Sequence, residues 1–161
     1  MNKISDNISW NEAVSSSTAE RLELDNIPDK EQVKAMIKVA EKVFQPLREW
    51  CDHPIKVNSF YRSPEVCKAI GSKITSQHTK GEAIDIDTLG STPNGELFYY
   101  IKNNLDFDQL IWEKGDNDNP DWIHVSYVSK KENRGVVLQA WKPEGKSYTL
   151  YKYFDLDAEN S

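Results

Sequence analysis

The chain has 161 residues, a formal net charge of −6 and 38% hydrophobic residues. This length and hydrophobic content predict one domain, residues 1–161, built around one core. The negative charge, with no basic run longer than Lys130-Lys131, argues against a nucleic-acid-binding surface. No apolar stretch is long enough to cross a bilayer, so we expect no transmembrane segment. The first residues lack a signal-peptide core, which predicts synthesis and folding in a cytoplasm.

The N-terminal part of the chain is predicted to be mostly helical. Residues 1–27 are interpreted as a lead-in segment of short helical turns and loop. A long helix is predicted from Pro28 to Trp50, because Pro28 suits a first turn and apolar residues recur at helical spacing. Pro46 should kink or split this helix near its end, because proline lacks the backbone N–H that a helix interior uses.

The next predicted elements form a corner between a strand and a helix. Residues 55–60 alternate between apolar and polar side chains, which indicates a half-buried strand. Ser63 can cap a following helix from Pro64 to Ile70. Arg62 therefore projects from a rigid corner, where an arginine forms either a surface ion pair or a contact with a ligand.

The stretch from Ser76 to Asp87 carries the strongest chemical signal. Its last five residues alternate apolar and acidic side chains and predict a strand with both acids on one face. His78 precedes this strand, and Gly81 between them allows a sharp turn. An imidazole and the Asp85 carboxylate so placed can bind one cation, and zinc accepts both nitrogen and oxygen ligands. Asp87 lies one pleat further and is interpreted as a surface acid or a residue that supports the ligands.

The remainder of the chain is predicted to add one helix and four strands. The helix spans Glu96 to Leu105, with its apolar side chains facing inward. The strands are 108–113, 121–127, 135–141 and 148–153, and the last two are expected to form a hairpin. The loop 115–120 contains aspartates but lacks the spacing of a calcium loop, so it is interpreted as a turn. Residues 155–161 are expected to form an acidic tail.

Residues 121–127 supply a third candidate metal ligand. This run of aromatic and β-branched residues is strand-like, and it contains His124. Asp121 lies three residues earlier, at or just before the start of the strand, where a carboxylate can face an attacking water without binding metal. Two imidazole nitrogens, one carboxylate oxygen and a water form an open, catalytic kind of zinc site. The predicted zinc ligands are therefore His78, Asp85 and His124.

Three sequence blocks occur in a distinctive order. They are Ser59-Phe60-Tyr61-Arg62-Ser63-Pro64, Ser76-x-His78-x-x-Gly81-x-x-x-Asp85 and Asp121-Trp122-x-His124. Together they resemble the zinc D-alanyl-D-alanine carboxypeptidase and endolysin peptidase family, which includes dipeptidases of glycopeptide resistance and phage L-alanyl-D-glutamate endopeptidases. The resemblance extends from about Ile8 to Tyr127. With the strand pattern, it implies an α+β fold in which a small antiparallel sheet of about four strands carries the zinc site and helices pack against one face.

The resemblance also implies a role for each residue around the Zn²⁺ ion. Asp121 would act as the general base that moves a proton from water to the leaving amine. Arg62 would stabilise the developing oxyanion or hold the substrate. Ser76 matches the family motif and would hydrogen-bond the substrate, and its neighbour Gln77, which is a variable position of that motif, is a further candidate for substrate contact.

The implied function is a zinc peptidase that cuts peptidoglycan stem peptides, as an endolysin-like L-alanyl-D-glutamate endopeptidase. The alternatives left open are a D-alanyl-D-alanine carboxypeptidase, a virion-associated protein that opens the wall, and a zinc-stabilised binding module without hydrolysis. A binding module needs neither Arg62 nor Asp121, and the sequence has both. We expect a monomer that acts on the cell wall and, if it is phage-encoded, is released from the cytoplasm by a holin-type partner.

Overall fold

The structure, a computed structural model, describes residues 1–154, so the predicted tail at 155–161 lies outside the described residues. The chain opens with a hairpin that the sequence did not predict, followed by the expected short helices. These elements are β1 (Lys3–Ser5), β2 (Ile8–Ser9), α1 (Trp10–Val14) and α2 (Ser17–Leu22). Ser9 and Ser16 begin the two helices, because each hydroxyl accepts a hydrogen bond from a backbone N–H of the first turn.

The predicted long helix is present and is split into three consecutive segments. They are α3 (Lys30–Val39), a π-helical turn (Ala40–Phe44) and α4 (Gln45–Cys51). Asp29 begins α3 in a capping box with Gln32. Pro46 lies in the first turn of α4, where a missing N–H is tolerated, and the wider π-helical turn precedes it. The division predicted near Pro46 is therefore present as a change from π- to α-helical hydrogen bonding just before it, within a continuous helix.

The remaining elements follow the predicted order, with boundaries shifted by one or two residues. They are β3 (Ile55–Ser59), α5 (Pro64–Ala69), a 3₁₀ turn (Gln77–Lys80), β4 (Ala83–Thr88), α6 (Asn94–Asn104), β5 (Gln109–Glu113), β6 (Trp122–Ser126), β7 (Val136–Trp141) and β8 (Leu150–Tyr153). Within residues 1–154, no helix combines the length and the apolar character that crossing a membrane requires.

One six-stranded sheet, in the order β3-β4-β6-β5-β7-β8, organises the domain. The predicted α+β class is confirmed, and the terminal hairpin of β7 and β8 is antiparallel as expected. The sheet is larger than the four strands expected, and β5 and β7 pair in parallel. The reason is topological. Because β6 occupies one edge of β5, the chain must cross over and add β7 at the other edge.

The two faces of the sheet differ in character. One face packs against α3, the π-helical turn and α6 to form the hydrophobic core. Its fully buried side chains include Ile84, Ile86, Leu110, Ile123 and Val125. Successive residues of a strand point to opposite faces, so Asp85 and His124 lie on the other face, which we call the site face. The core therefore fixes the strands from behind while the site face stays available for chemistry.

Candidate metal centre

The two strand-borne ligand candidates meet because of the strand register. Asp85 of β4 is directly opposite His124 of β6. Directly opposite residues of antiparallel strands point to the same face at close range. His124 Nδ1 lies 2.9 Å from Asp85 Oδ1. The register of two buried central strands thus brings together a nitrogen and an oxygen ligand.

The third ligand candidate, His78, comes from the 3₁₀ turn before β4. Ser76 caps this turn by accepting a hydrogen bond from the His78 N–H at 3.3 Å. Gly81 ends it in the left-handed conformation, with φ of 74°. A Cβ at Gly81 would lie 2.4 Å from the carbonyl oxygen of Gln32, so only glycine fits against α3. The sharp turn predicted at Gly81 is confirmed, and it places His78 Nε2 3.3 Å from Asp85 Oδ2.

The hydrogen bonds of His78 leave one of its nitrogens ready for a metal. Its Nδ1 lies 2.7 Å from the carbonyl oxygen of Phe60. A carbonyl can only accept, so this contact places the proton on Nδ1 and a lone pair on Nε2. His78 is buried, and Nε2 has no hydrogen-bond partner. A buried nitrogen without a partner is unfavourable unless something else binds it.

The three side chains fit a metal ion by the chemistry and spacing of their donor atoms. His78, Asp85 and His124 each offer one ligand atom, and these atoms all lie within 4.8 Å of one another. Two imidazoles and a carboxylate are ligands that zinc accepts. The Phe60 carbonyl behind His78 is the kind of supporting contact that orients a metal-binding imidazole.

The electrostatics of the cluster favour the metal-binding protonation states. Burial lowers the pKa of His78, which favours the neutral imidazole. For Asp85, burial alone would raise the pKa, but its close contacts with His78 and His124 outweigh burial and hold the pKa below its usual range. A neutral imidazole beside an ionised carboxylate is the arrangement that a divalent cation requires.

Arg62 contacts the cluster directly. Ser63 caps α5 as predicted, because its hydroxyl accepts a hydrogen bond from the Val66 N–H at 3.2 Å. Arg62 lies just before this cap, at the corner between β3 and α5. From this corner the Arg62 guanidinium donates to Asp85 Oδ2 at 2.9 Å and to the Ser59 hydroxyl at 2.8 Å. Arg62 therefore belongs to the site, and in this structure it holds the carboxylate of a ligand candidate.

Gln77 is tied to a network that sequence reasoning missed. Its side-chain amide donates to Asp108 Oδ2 at 3.0 Å. Asp108 is buried and also accepts two hydrogen bonds from the Arg134 guanidinium, at 3.0 and 2.8 Å. Nothing in the local sequence connects these three residues, because their contacts join segments that are distant along the chain. The substrate contacts predicted for Gln77 and Ser76 stay predictions.

The acids around the site differ in their surroundings. The Asp121 side chain is exposed just before β6, and the structure does not test its predicted role as a base. Asp87 accepts a hydrogen bond from the Asn94 side chain at 2.7 Å and so supports the start of α6. Glu113, at the end of β5, is only 7% exposed, and the sequence analysis did not single it out. For a glutamate at the end of a strand, the local sequence does not indicate whether the side chain is buried or exposed.

A comparison with protein families gives the class of this site. The sequence model of the peptidase M15 family matches residues 7–126. The chain therefore belongs to the peptidase M15 family, the family of the zinc D-Ala-D-Ala carboxypeptidases. The resemblance seen in the sequence blocks is thus confirmed. The family membership supports a zinc metallopeptidase that acts on peptidoglycan-type substrates. No curated protein matches the chain.

Proposed function

We propose that this protein is a zinc-dependent endopeptidase that hydrolyses the L-alanyl-D-glutamate bond of peptidoglycan stem peptides. The observation that carries the proposal is the His78, Asp85 and His124 cluster, with its partnerless buried nitrogen, in a chain of the peptidase M15 family. The choice of bond rests on the likeness to phage lysis enzymes. On this proposal the protein acts on the cell wall as a monomer, after release by a holin-type partner.

The metal would be held by these three side chains. A zinc ion supplies Lewis-acid chemistry there, polarising a carbonyl and making water more acidic. Arg62 donates a hydrogen bond to the Asp85 carboxylate and so places a positive charge beside the cluster. A guanidinium can also bind a substrate carboxylate or a developing oxyanion, and stem peptides carry free carboxylates. Arg62 is therefore proposed to hold both the ligand and the substrate.

Hydrolysis also needs a group that accepts a proton from water and returns it to the leaving amine. Asp121 is the candidate that the family resemblance suggests. Asp121 is exposed and lies just before β6, the strand that carries His124.

The test is digestion of purified peptidoglycan by the zinc-supplied protein, with identification of the new termini by mass spectrometry. We expect new N-terminal D-glutamate and C-terminal L-alanine, and none of either with His124→Ala. Release of free D-alanine with the L-alanyl bond intact would show a carboxypeptidase instead. Absence of any new terminus would leave a zinc-stabilised binding module and would contradict the proposal.

A further inference from the structure

Asp108 joins the two elements that carry the histidine ligand candidates. Its backbone N–H donates to the Ser126 carbonyl at 2.8 Å, and Ser126 lies in β6, two residues after His124. Its buried carboxylate accepts a hydrogen bond at 3.0 Å from the side-chain amide of Gln77, the residue before His78. One residue therefore ties the strand of one ligand candidate to the turn of the other.

This tie matters because the two histidines reach the metal from separate elements. His124 is fixed by the register of two central strands, whereas His78 lies in a 3₁₀ turn that follows a mostly exposed segment, residues 71–76. Gln32 of α3 holds the turn from the helix side by donating to its Thr79 carbonyl at 3.0 Å. The amide–carboxylate contact holds the same turn against the sheet. Because zinc–nitrogen bonds keep to about 2.0–2.1 Å, a turn that moves relative to β6 would bind the metal less tightly.

Arg134 keeps the Asp108 carboxylate in place and ionised. Its guanidinium donates to Oδ1 and Oδ2 of Asp108 at 3.0 and 2.8 Å, and its backbone N–H donates to Oδ1 at 2.9 Å. The hydrogen bonds from Arg134 lower the pKa of Asp108 and outweigh the opposing effect of burial. An ionised acceptor forms stronger hydrogen bonds than a neutral one, which strengthens the contact with Gln77.

The contacts of Asp108 serve two different segments of the chain. Those with Arg134 secure the start of β7, where the Val136 N–H also donates to the Asp108 carbonyl at 3.0 Å. The Gln77 contact adds nothing to that task, because Gln77 belongs to the turn before β4. What the Gln77 contact does hold is the turn that carries a metal ligand candidate.

We propose that Asp108 is a positioning residue that, through Gln77, fixes the spacing between His78 and His124 for metal binding. This inference rests on the proposed function for the identity of the metal as zinc. Contacts that support a metal ligand directly are worth about 10–100-fold in metal affinity. Asp108 acts through the neighbour of a ligand, so we expect an effect near the lower end of this range.

The test measures zinc affinity without substrate, so the predicted substrate contact of Gln77 does not enter. The metal-free wild type and each variant compete with a chromogenic chelator for zinc. Gln77→Leu keeps the bulk of the side chain but removes the donor, and it should bind zinc about 10-fold more weakly than wild type. The matched control is Ser16→Ala, which removes the cap of α2 and so costs stability in another element. It should bind zinc like wild type.

A reversed hydrogen bond provides a rescue. In Gln77→Glu, two carboxylates would face each other and repel, so zinc binding should weaken. In the double variant Gln77→Glu/Asp108→Asn, the new amide can donate to the new carboxylate while its oxygen still accepts from Arg134. The total charge is again that of wild type. We expect this double variant to bind zinc nearly as tightly as wild type and more tightly than Gln77→Glu alone.

Three results would each overturn the inference. They are wild-type zinc affinity in Gln77→Leu, an equal loss of affinity in Ser16→Ala, and no recovery in the double variant. If the zinc affinities follow the expected pattern but the zinc-bound wild type releases no wall peptide, the inference stands and the proposed function falls. The two failures are therefore distinguishable.

Discussion

At the scale of single residues, the site depends on a nitrogen that the protein itself does not satisfy. The Phe60 carbonyl fixes the proton of His78 on Nδ1, and Nε2 is left buried beside Asp85. Folding therefore prepares the imidazole for an external partner. Zinc is the partner that the donor set and the peptidase M15 membership support.

The ligand assignment predicts which histidines zinc binding needs. His78→Ala and His124→Ala should each reduce zinc content to near zero, because a three-ligand site loses one of its ligands. His53→Ala should keep about one zinc per chain, because His53 contacts the Pro54 carbonyl and the Thr92 N–H instead. Metal analysis of each purified variant measures this. Equal zinc in all three variants would place the metal elsewhere.

We expect substitutions of Arg62 to lower peptidase activity even when the positive charge is kept. Arg62→Ala should lower kcat/KM by about 10–10³-fold, since both the Asp85 contact and the proposed substrate contact disappear. Arg62→Lys should stay well below wild type, because an ammonium cannot copy the two directed contacts to Asp85 and Ser59.

The kinetics of the Arg62 variants also separate the two roles considered for this residue. A fall mainly in kcat indicates oxyanion stabilisation, and a rise mainly in KM indicates a carboxylate clamp. Exposed Arg21→Ala is the control. Hydrolysis by Arg62→Ala at the wild-type rate would reduce Arg62 to a structural residue.

At the scale of elements, the sequence predicted the turn and the strands that carry the ligands. The alternation at 83–87 identified β4, and Gly81 identified the turn before it. Other features had no local signal. The hydrogen bonds that join Gln77, Asp108 and Arg134 link distant segments, and periodicity reports only local structure.

The turn that carries His78 should be sensitive to its glycine. Gly81→Ala adds a Cβ 2.4 Å from the Gln32 carbonyl oxygen at a φ of +74°. Gly71→Ala is a matched control, because it shares a positive φ, +79°, but its Cβ would meet nothing within 4 Å. We expect a loss of about 1–2 kcal/mol in the free energy of unfolding for Gly71→Ala, from backbone strain alone. Gly81→Ala should lose clearly more in urea denaturation, and an equal loss would refute the close packing on α3.

Asp108 should make a pH-dependent contribution to stability. The hydrogen bond from Arg134 lowers the pKa of Asp108, so its ionised form stabilises the fold above the unfolded pKa of about 3.9. That contribution is lost as pH falls through the folded-state pKa. Asp108→Asn should therefore be less stable than wild type by about 1–2 kcal/mol at pH 7, an estimate reduced for the exposure of Arg134.

The difference between wild type and Asp108→Asn should shrink as the pH falls from about 4 through the lowered folded-state pKa of Asp108, because protonation then removes the charge that Arg134 stabilises. Urea denaturation across the pH range measures it, with exposed Asp106→Asn as the control. A difference that stays constant down to pH 2 would exclude ionisation of Asp108 as its cause.

At the scale of the whole molecule, the sheet divides its two faces between stability and chemistry. The alternation of apolar and polar residues in strands such as β4 made this division predictable. The α+β class was also predictable from the sequence. The parallel pairing of β5 with β7 was not, because strand order depends on which sheet edge is free when the chain arrives. The burial of Glu113 was not predicted for a related reason: its pairing partners, Trp122 of β6 and Ala140 of β7, are distant from it along the chain.

The central claim is that this chain hydrolyses wall peptides with one zinc held by His78, Asp85 and His124. The most direct measurement is a zinc titration of chelator-treated protein while new amino groups are released from purified peptidoglycan. The account predicts no hydrolysis without metal, a linear rise with added zinc and a plateau at about one zinc per chain. Full hydrolysis by the metal-free protein, or none at any zinc ratio, would contradict it.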